Sequence, residues 1–260
     1  MAEFYCYADS KSGIRFAKEL QCDSANLFHF GGWHTADDWG LYWTDFSITA
    51  PEVEIYKVNV PGRHGVLDLS EVLAGHPVYK NRTLTATFVA KTPMTDWHTL
   101  YSNLVTALHG QIMQIALDTD PMHYWVGRCS VSSEMADAVH CVVTITADAQ
   151  PFQIGYKMYG FLWDFTNFGE NFLPEPIIIG QTNASVELND LKISSNVDIY
   201  VEKDTIVQWE QDGIFCGGTS LKAGKNEAVC KLSANRNRFT FITLYESGFQ
   251  AAFVCKSGVL

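Results

Sequence analysis

The chain has 260 residues, of which 47% are hydrophobic and 18% are charged. This balance is that of an ordinary folded protein of about two domains. The formal net charge of −11 argues against nucleic acid as a sequence-independent partner, because phosphate contacts need Lys and Arg. The first residues lack the basic and apolar regions of a signal peptide, and no run of about eighteen apolar residues occurs. We therefore expect synthesis and assembly in a cytoplasm.

Neither the cysteine spacing nor any sequence motif indicates a metal site or catalysis. The seven cysteines show no CxxC pair and no Cys/His cluster, which predicts reduced, mostly buried thiols that pack as small hydrophobic groups. Phosphate-binding glycine loops, nucleophile elbows and zinc-binding helix motifs are missing from the sequence. The sequence therefore predicts no enzyme activity, no catalytic residues, no metal and no cofactor.

The N-terminal part opens on a segment without clear periodicity. Residues 1–28 predict an arm or an irregular first strand, and residues 28–43 are dense in aromatic side chains and glycine, which indicates tight turns and core or subunit contacts. His34 with Asp37 and Asp38 is one conceivable set of metal ligands. Adjacent carboxylates in a loop more often cap a turn or face solvent, so we favour that interpretation.

Residues 52–60 predict a strand whose apolar side chains change faces after Ile55. Two explanations are open: a bulge near Ile55, or cover on both faces of the strand. In an oligomer, a neighbouring subunit would supply the second cover. The pattern is a weak indication of assembly.

Residues 60–88 are the stretch around which the chain is organised. Pro61 and Gly62 fit the central positions of a type II turn, since Pro presets φ at the first and Gly tolerates positive φ at the second. Gly65 adds a second point of backbone freedom three residues later. The sequence therefore predicts a sharply turned loop before the next strand.

The second half of this stretch joins a short turn to a strand. Asp68 and Ser70 are suited to start a helical turn that Gly75 ends. From Arg82 the sequence alternates strictly, as in a half-buried strand. Arg82 has the apolar parity, and because an unpaired buried charge is costly, we predict a bidentate ion pair between Arg82 and Asp68. The apolar face holds Leu84, Ala86 and Phe88, and the other face holds Thr83, Thr85 and Thr87.

One helix is predicted after Pro93, with Thr95 or Asp96 at its N-terminal cap and Gly110 beyond its C-terminus. Residues 112–131 then predict a hairpin, which is a candidate channel wall although its apolar character favours burial. The helix has a single apolar stripe, formed by Trp97, Leu100, Tyr101, Leu104, Val105 and Leu108.

We place a domain boundary near Gly155, which gives domains of residues 1–155 and 156–260. Short strands separated by turn signals follow, as is typical of a β-sandwich. The segment from Leu221 to Asn226 is similar to a turn of galectin-like sandwiches. The turn signals lie at Asn189-Asp190, Asp212-Gly213, Gly217-Gly218 and Ala223-Gly224.

An aromatic run begins the second domain. Tyr159, Phe161 and Trp163 share one face of a strand and are candidates for stacking on sugar rings. The competing interpretation is core packing or a contact between domains, which we favour because most large aromatic side chains are buried for their area alone.

The turn VPGxxGxLDLSE followed by YxNRTLTxxF resembles the N-terminal domain of the distal tail protein of siphophage-type long-tailed phages. The resemblance includes Phe30 to His34 and Asp38 to Leu41 upstream and Tyr124 to Arg128 downstream, and it covers residues 1–155. It implies a mainly β fold with one helix: a sandwich-like, ring-forming N-terminal domain and a galectin-like C-terminal β-sandwich. The residues that it marks for ring geometry are Pro61, Gly62, Gly65, Asp68, Asn81 and Arg82.

The resemblance implies an architectural role at the virion tail tip. Six copies would form a ring that ends the tail tube and holds the adhesion apparatus. The implied partners are the tail tube protein, a tail-associated tip protein and a receptor-binding protein, with DNA passing through the pore without specific binding. The alternative is a carbohydrate-binding module that acts through the C-terminal sandwich on host-surface glycans; a hydrolase has no motif to support it.

Overall fold

The computed structural model describes residues 13–19, 21–22, 29–30, 32–91, 94–135, 140–160, 177–180, 184–242 and 248–260. The fold is mainly β, and the described residues contain one α-helix. Within these residues, no helix has the length and apolar character needed to cross a membrane. The chain forms two compact units, one of residues 1–21, 29–153 and 260, the other of residues 22–28 and 154–259.

The elements up to residue 149 are antiparallel strands and the helix. The strands β10, β11, β8 and β5 lie in that order in one sheet, β9 pairs with β10, and β1 pairs with β9 and β4. The bounds are β1 (Ile14–Ala17), β2 (Gln21–Cys22), β3 (His29–Phe30), β4 (Trp33–His34), β5 (Leu41–Ile48), β6 (Lys57–Val58), β7 (Leu67–Asp68), β8 (Arg82–Lys91), α1 (Met94–Leu108), β9 (Ile112–Leu117), β10 (Asp120–Met135) and β11 (His140–Ala149).

Strand β8 confirms the predicted alternation. Leu84, Ala86 and Phe88 are buried, whereas the threonines between them are exposed or half-buried. Phe88 is 0% exposed and lies opposite Val143 of β11. Because successive side chains of a strand point to opposite faces, β8 gives the sheet one core face and one polar face.

Helix α1 confirms the predicted apolar stripe, since Trp97, Leu104 and Leu108 are buried in the same core as β8. The two predicted caps, Thr95 and Asp96, lie inside the first turn, because the helix begins at Met94. The position before Met94 is outside the described residues. Beyond the helix, Gly110 has a φ of 74°, and its N–H donates to the carbonyl of Cys129 at 2.8 Å.

Of the two alternatives predicted for residues 1–28, the structure shows a first strand, but its burial was not predicted. Ile14 and Phe16 of β1 are 0% and 2% exposed, and β1 pairs with β9 about a hundred residues later in the chain. Gly32 has a φ of 73°, and an added Cβ there would overlap the carbonyl oxygen of Phe16. The core of this unit therefore depends on a strand that local periodicity does not reveal.

The predicted strand over residues 52–60 is wrong. The structure forms only an isolated bridge from Val53 to Tyr79 and the two-residue ladder between β6 and β7. No bulge accounts for the change of faces after Ile55, because no continuous strand runs through this segment; cover by a neighbouring subunit stays a prediction. The side chains are exposed because this segment belongs to a loop outside the core.

The second unit is a β-sandwich, as predicted. One sheet has the order β14, β19, β16, β17, and β18, β15, β20 and β12 form the other, with β13 also on β20. Phe239, Phe241 and Phe253 fill the space between them with ring centroids 5.2–5.9 Å apart. The strands are β12 (Gln153–Tyr159), β13 (Ile177–Ile179), β14 (Ser185–Asn189), β15 (Asn196–Val201), β16 (Thr205–Gln211), β17 (Ile214–Leu221), β18 (Gly224–Lys231), β19 (Arg236–Ile242) and β20 (Phe249–Val259).

Strand β17 corrects the prediction that Gly217 and Gly218 form a turn. Both glycines lie within the strand, next to a bulge at Cys216 that interrupts the pairing with β16. A Cβ on Gly217 would lie 3.2 Å from the ring of Trp209. Glycine here permits a close approach of backbone to an aromatic side chain, which is the other common use of glycine in a strand.

Five cysteines whose side chains the structure describes carry free thiols, and the prediction of burial holds for three of these five. Cys129, Cys141 and Cys255 are buried, Cys230 is half-buried and Cys216 is exposed. Burial raises the pKa of the Cys129 and Cys255 thiols to about 12, because a buried thiolate loses its hydration. These thiols therefore act as inert core side chains.

Candidate functional site

The residues singled out in the sequence lie in the loop that connects β5 to β8, which we call the apolar loop (residues 50–81), and, for Arg82, at the first position of β8. The predicted type II turn of the loop is present. Gly62 has a φ of 81°, and the N–H of Arg63 donates to the carbonyl of Val60 at 3.2 Å. Gly65 also has a positive φ, of 80°. The glycines therefore set the path of the loop, while Asn81 is exposed at its end.

The turn after β7 is held by short-range hydrogen bonds. The Oδ1 of Asp68 accepts from both the N–H and the hydroxyl of Ser70, at 3.0 Å and 2.5 Å. These bonds lower the pKa of the Asp68 carboxyl, since they favour its charged form. The chain then turns through Val72, and the N–H of Gly75 donates to the carbonyl of Glu71 at 2.7 Å. The predicted start and end of this turn are confirmed.

The predicted ion pair between Arg82 and Asp68 is wrong. Asp68 is exposed and bonded to Ser70, whereas Arg82 is only 7% exposed at the start of β8, opposite Ala149. No ion pair joins these two described side chains, and the Nε of Arg82 has no hydrogen-bond partner. Burial accordingly lowers the pKa of the Arg82 guanidinium. The alternation of residues in β8 predicted correctly that Arg82 lies on the buried face, but it did not predict which residues surround it.

The apolar loop exposes large apolar side chains. The pairing of β6 with β7 and the hydrogen-bonded turns of the loop leave these side chains exposed, and Leu73 is 101% exposed. Exposed apolar surface of more than a few hundred Å² on one region of a protein is typical of an interaction site. The six exposed apolar side chains of this loop are Val53, Ile55, Tyr56, Val66, Val72 and Leu73.

The polar side of the sheet formed by β10, β11, β8 and β5 is rich in hydroxyl groups, and we call it the hydroxyl face. Pairing aligns Ser130, Thr146, Thr85 and Ser47 in one row across the four strands. Within that row, the side-chain oxygens of Ser130 and Thr146 lie 2.5 Å apart. A second row contains Ser132, Thr144, Thr87 and Asp45. These two rows are therefore polar, and their one charged side chain is the carboxylate of Asp45.

One margin of the hydroxyl face carries a balanced pair of charges. Arg128 of β10 lies directly opposite Asp148 of β11, and Thr83 follows on β8. The guanidinium of Arg128 also donates to the carbonyl of Gly110. Opposite charges in register stabilise a strand pair and leave no net charge in this row. A phosphate polymer would find no excess of basic side chains on these rows.

A cavity of ≈660 Å³ opens between the end of β4 and the helix, and we call it the aromatic recess. The rings of Trp33 and Trp39 stack there with an interplanar angle of 13° and centroids 6.3 Å apart. Its size is within the range of pockets that bind small molecules or single side chains of a partner. The other lining residues are Lys18, Asp38, Asn103, Thr106, Ala107 and Gln111.

His34 forms hydrogen bonds in the structure and no metal site. Its Nε2 lies 2.8 Å from Asp118, and the Asp37 N–H donates to its Nδ1 at 3.2 Å. Asp38 accepts from the backbone N–H of His34, as expected of a capping carboxylate. Among the described residues, no group of three His, Cys, Asp or Glu side chains is arranged to hold a metal ion. His34 therefore ties β4 to the turn before β10.

With this geometry established, comparison with known proteins identifies a fold. No protein-family model and no curated protein matches the chain. The Dit protein of phage SPP1 is similar in structure, with a TM-score of 0.55 at 11% sequence identity, over 96% of this chain and 99% of Dit. This chain has the fold of SPP1 Dit.

The crystal structure of SPP1 Dit is described as a paradigm of the hub adsorption apparatus in phages that infect Gram-positive bacteria. A second match, to the insecticidal delta-endotoxin Cry8Ea1 from Bacillus thuringiensis, has a TM-score of 0.28 at 9% identity, over 84% of this chain and 43% of the toxin. That similarity is too low to support an argument. The similarity to Dit extends over both units, whereas the sequence motifs cover mainly the first.

The aromatic candidates for sugar stacking lie at the start of the second unit. Tyr159 is half-buried in β12, its hydroxyl donates to the carbonyl of Asn189 at 3.4 Å, and the Nζ of Lys157 lies 4.8 Å from its ring centroid. Phe161 and Trp163 lie outside the described residues. The hydroxyl of Tyr159 is therefore hydrogen-bonded, and one face of its ring is in contact with Lys157.

The hydroxyl face and the aromatic recess are the candidate sites that sequence reasoning did not predict. The alternation of threonines in β8 was visible, but their alignment with Ser130 and Thr146 depends on strand order. Trp33 and Trp39 were noted as part of an aromatic segment. The recess also requires Lys18 from beyond β1 and Asn103 from α1, which no local pattern brings together.

Proposed function

We propose that this chain is a non-catalytic, structural component of a phage tail tip, and that six copies form a ring that joins the end of the tail tube to the adhesion apparatus. The observation that carries this proposal is the similarity to SPP1 Dit, because it extends over 96% of this chain and 99% of that protein. The partners proposed with it are the tail tube protein, a tip protein and a receptor-binding protein of the virion.

We further propose that the hydroxyl face lines the channel of this ring. Phosphate groups are held by Lys and Arg, and the rows through Thr85 and Thr87 contain neither. A polar lining without basic side chains lets DNA pass without retaining it. The sequence suggested the hairpin of residues 112–131 as a channel wall. Within that hairpin and its continuation, we assign the wall to the face of β10 that carries Ser130 and Ser132, and not to the buried residues of β9.

The ring is tested by the mass of the purified chain in solution. Light scattering coupled to size exclusion is expected to give about six times the chain mass of 29.1 kDa, because a head-to-tail interface that closes by rotation produces a ring. Negative-stain images should then show annular particles with a central pore. A mass equal to one chain at protein concentrations of tens of micromolar or more would contradict the hexamer.

We propose saccharide binding by the second unit as a second function, supported by one feature of the outer face of β14, β19, β16 and β17. Pairing places Glu187, Arg238, Glu210 and Phe215 in one row across this face. A small cavity of ≈150 Å³ lies between Glu210 and Arg238. Carboxylates and guanidinium groups bond hydroxyls, and the exposed ring of Phe215 offers an apolar surface beside them.

Glycan-array binding by the intact chain tests this second function. Binding is expected to be lost in the Phe215→Ser variant, while Ile206→Ser, on the same sheet but outside this row, keeps it. Equal binding by the two variants, or none by the wild type, would rule out this row as the site. The mass of the assembly is measured in parallel, so that the ring and the saccharide site are decided separately.

A further inference from the structure

The tip of the apolar loop presents an ordered apolar turn to solvent. Val72 and Leu73 are 68% and 101% exposed. The turn that carries them is held by the Ser70–Asp68 bonds and by the Gly75–Glu71 bond. Single exposed apolar residues are common on protein surfaces. Two adjacent ones at the tip of a hydrogen-bonded turn form a protruding apolar contact element, since the backbone that presents them is already fixed.

The aromatic recess has the complementary shape and chemistry. It is concave, its volume is ≈660 Å³, and its apolar walls are Trp33, Trp39 and Ala107. Trp33 is 37% exposed although it is stacked on Trp39. Tryptophan is enriched among the residues that contribute most of the binding energy at protein interfaces. The recess therefore suits an inserted aliphatic side chain.

Polar and charged groups lie beside the apolar side chains of both elements. Glu71 directly precedes Val72 in the turn and is exposed, while Lys18 and Asp38 both line the recess. Asn103 and Gln111 add hydrogen-bonding side chains to the recess lining. An apolar centre surrounded by polar groups is the usual arrangement of a protein interface.

A ring constrains where these elements meet. In a head-to-tail interface, each subunit contributes two unlike surfaces, so one surface of a copy contacts the other surface of the next copy. The turn and the recess are unlike, and both belong to the first unit. The six exposed apolar side chains of the loop also provide apolar area on the order of the several hundred Å² that each partner of a stable interface buries.

From these observations we propose that Val72 and Leu73 of one copy insert into the aromatic recess of the next copy, with Leu73 against Trp33, Trp39 and Ala107. This inference rests on the proposed ring and names its interface. The loop is then the protruding part of the contact, and Pro61, Gly62 and Gly65 are positioning residues that direct it toward the neighbouring copy.

Cross-linking tests the contact directly. In a background with Cys6, Cys22 and Cys216 replaced by serine, the double variant Leu73→Cys/Ala107→Cys is treated with a short bis-maleimide. A ladder of covalent multimers on a denaturing gel is expected for the double variant and for neither single variant. The control pair Leu73→Cys/Thr240→Cys, with its second cysteine on β19, is expected to give no ladder.

The outcomes separate this contact from the ring itself. A ring by light scattering without a ladder overturns the contact and leaves the ring standing. A monomeric wild type overturns both. As a second measurement, Leu73→Asp is expected to weaken assembly at least tenfold with an unchanged unfolding transition, whereas Leu73→Met assembles like the wild type. Wild-type assembly of Leu73→Asp also overturns the proposal.

Discussion

Replacing Phe88 by alanine is expected to lower the free energy of unfolding of the first unit by about 3–5 kcal/mol. Phe88 is 0% exposed and lies between Trp43 of β5 and Val143 of β11 in the paired strands. The substitution removes the transfer free energy of the ring and leaves a cavity, because close-packed neighbours relax only in part. Urea unfolding followed by tryptophan fluorescence measures the change.

Thr87 provides the matched control for Phe88. It precedes Phe88 in the same strand, but its side chain lies on the hydroxyl face and is half-buried. Thr87→Ala is expected to change the free energy of unfolding by less than about 1 kcal/mol, because it opens no cavity in the core. Similar losses for the two variants would show that the assignment of the two faces of β8 is incorrect.

Placing lysine on the hydroxyl face is expected to convert a passive channel into one that binds DNA. In the variant Thr85→Lys/Ser132→Lys, the new charges lie on β8 and β10, separated by β11, so they are not cross-strand neighbours. With two lysines per chain, a ring of six would add about twelve charges. For 6–10 phosphate contacts, affinity falls by about 10³–10⁵ between 50 and 200 mM salt. Fluorescence anisotropy of a labelled duplex measures both affinity and salt dependence.

Two controls make the DNA experiment specific to this face. Thr85→Gln/Ser132→Gln alters the same positions without charge and is expected to leave DNA unbound. Ser185→Lys/Gln208→Lys adds the same number of charges to the outer face of the second unit. DNA binding by this second control equal to that of the first variant would mean that net charge, rather than placement, determines retention. The proposal that the hydroxyl face lines the channel would then lose its support.

Local sequence patterns correctly predicted those structural elements that are determined by nearby residues. The strict alternation in β8 gave both faces of that strand, and the apolar stripe of α1 gave its buried side, because burial imposes the period of each element. The turn at Gly62 followed from residue types alone. The ring, the partners and the roles of Asn81 and Arg82 stay predictions, because the structure of a single chain does not test contacts between chains.

The errors have physical causes that the sequence does not express. Arg82 has the apolar parity, but parity does not say which carboxylate lies nearby, and Asp68 is already bonded to Ser70 two residues away. The glycines of β17 were assigned to a turn because a close approach to Trp209 cannot be read from the residues beside them. The burial of strand β1 was not predicted because its partner, β9, is about a hundred residues distant.

The pairing of β1 with β9 also determines when the first unit is able to fold during synthesis. Ile14 pairs with Leu117, and the N–H of Gly13 donates to Asp118 at 2.8 Å, so these contacts wait until nearly half of the chain has left the ribosome. Contacts of such large sequence separation slow folding, because a long loop closes before the contact stabilises it. Until then, Ile14 and Phe16 are exposed on the nascent chain, where chaperones that recognise apolar segments would bind them.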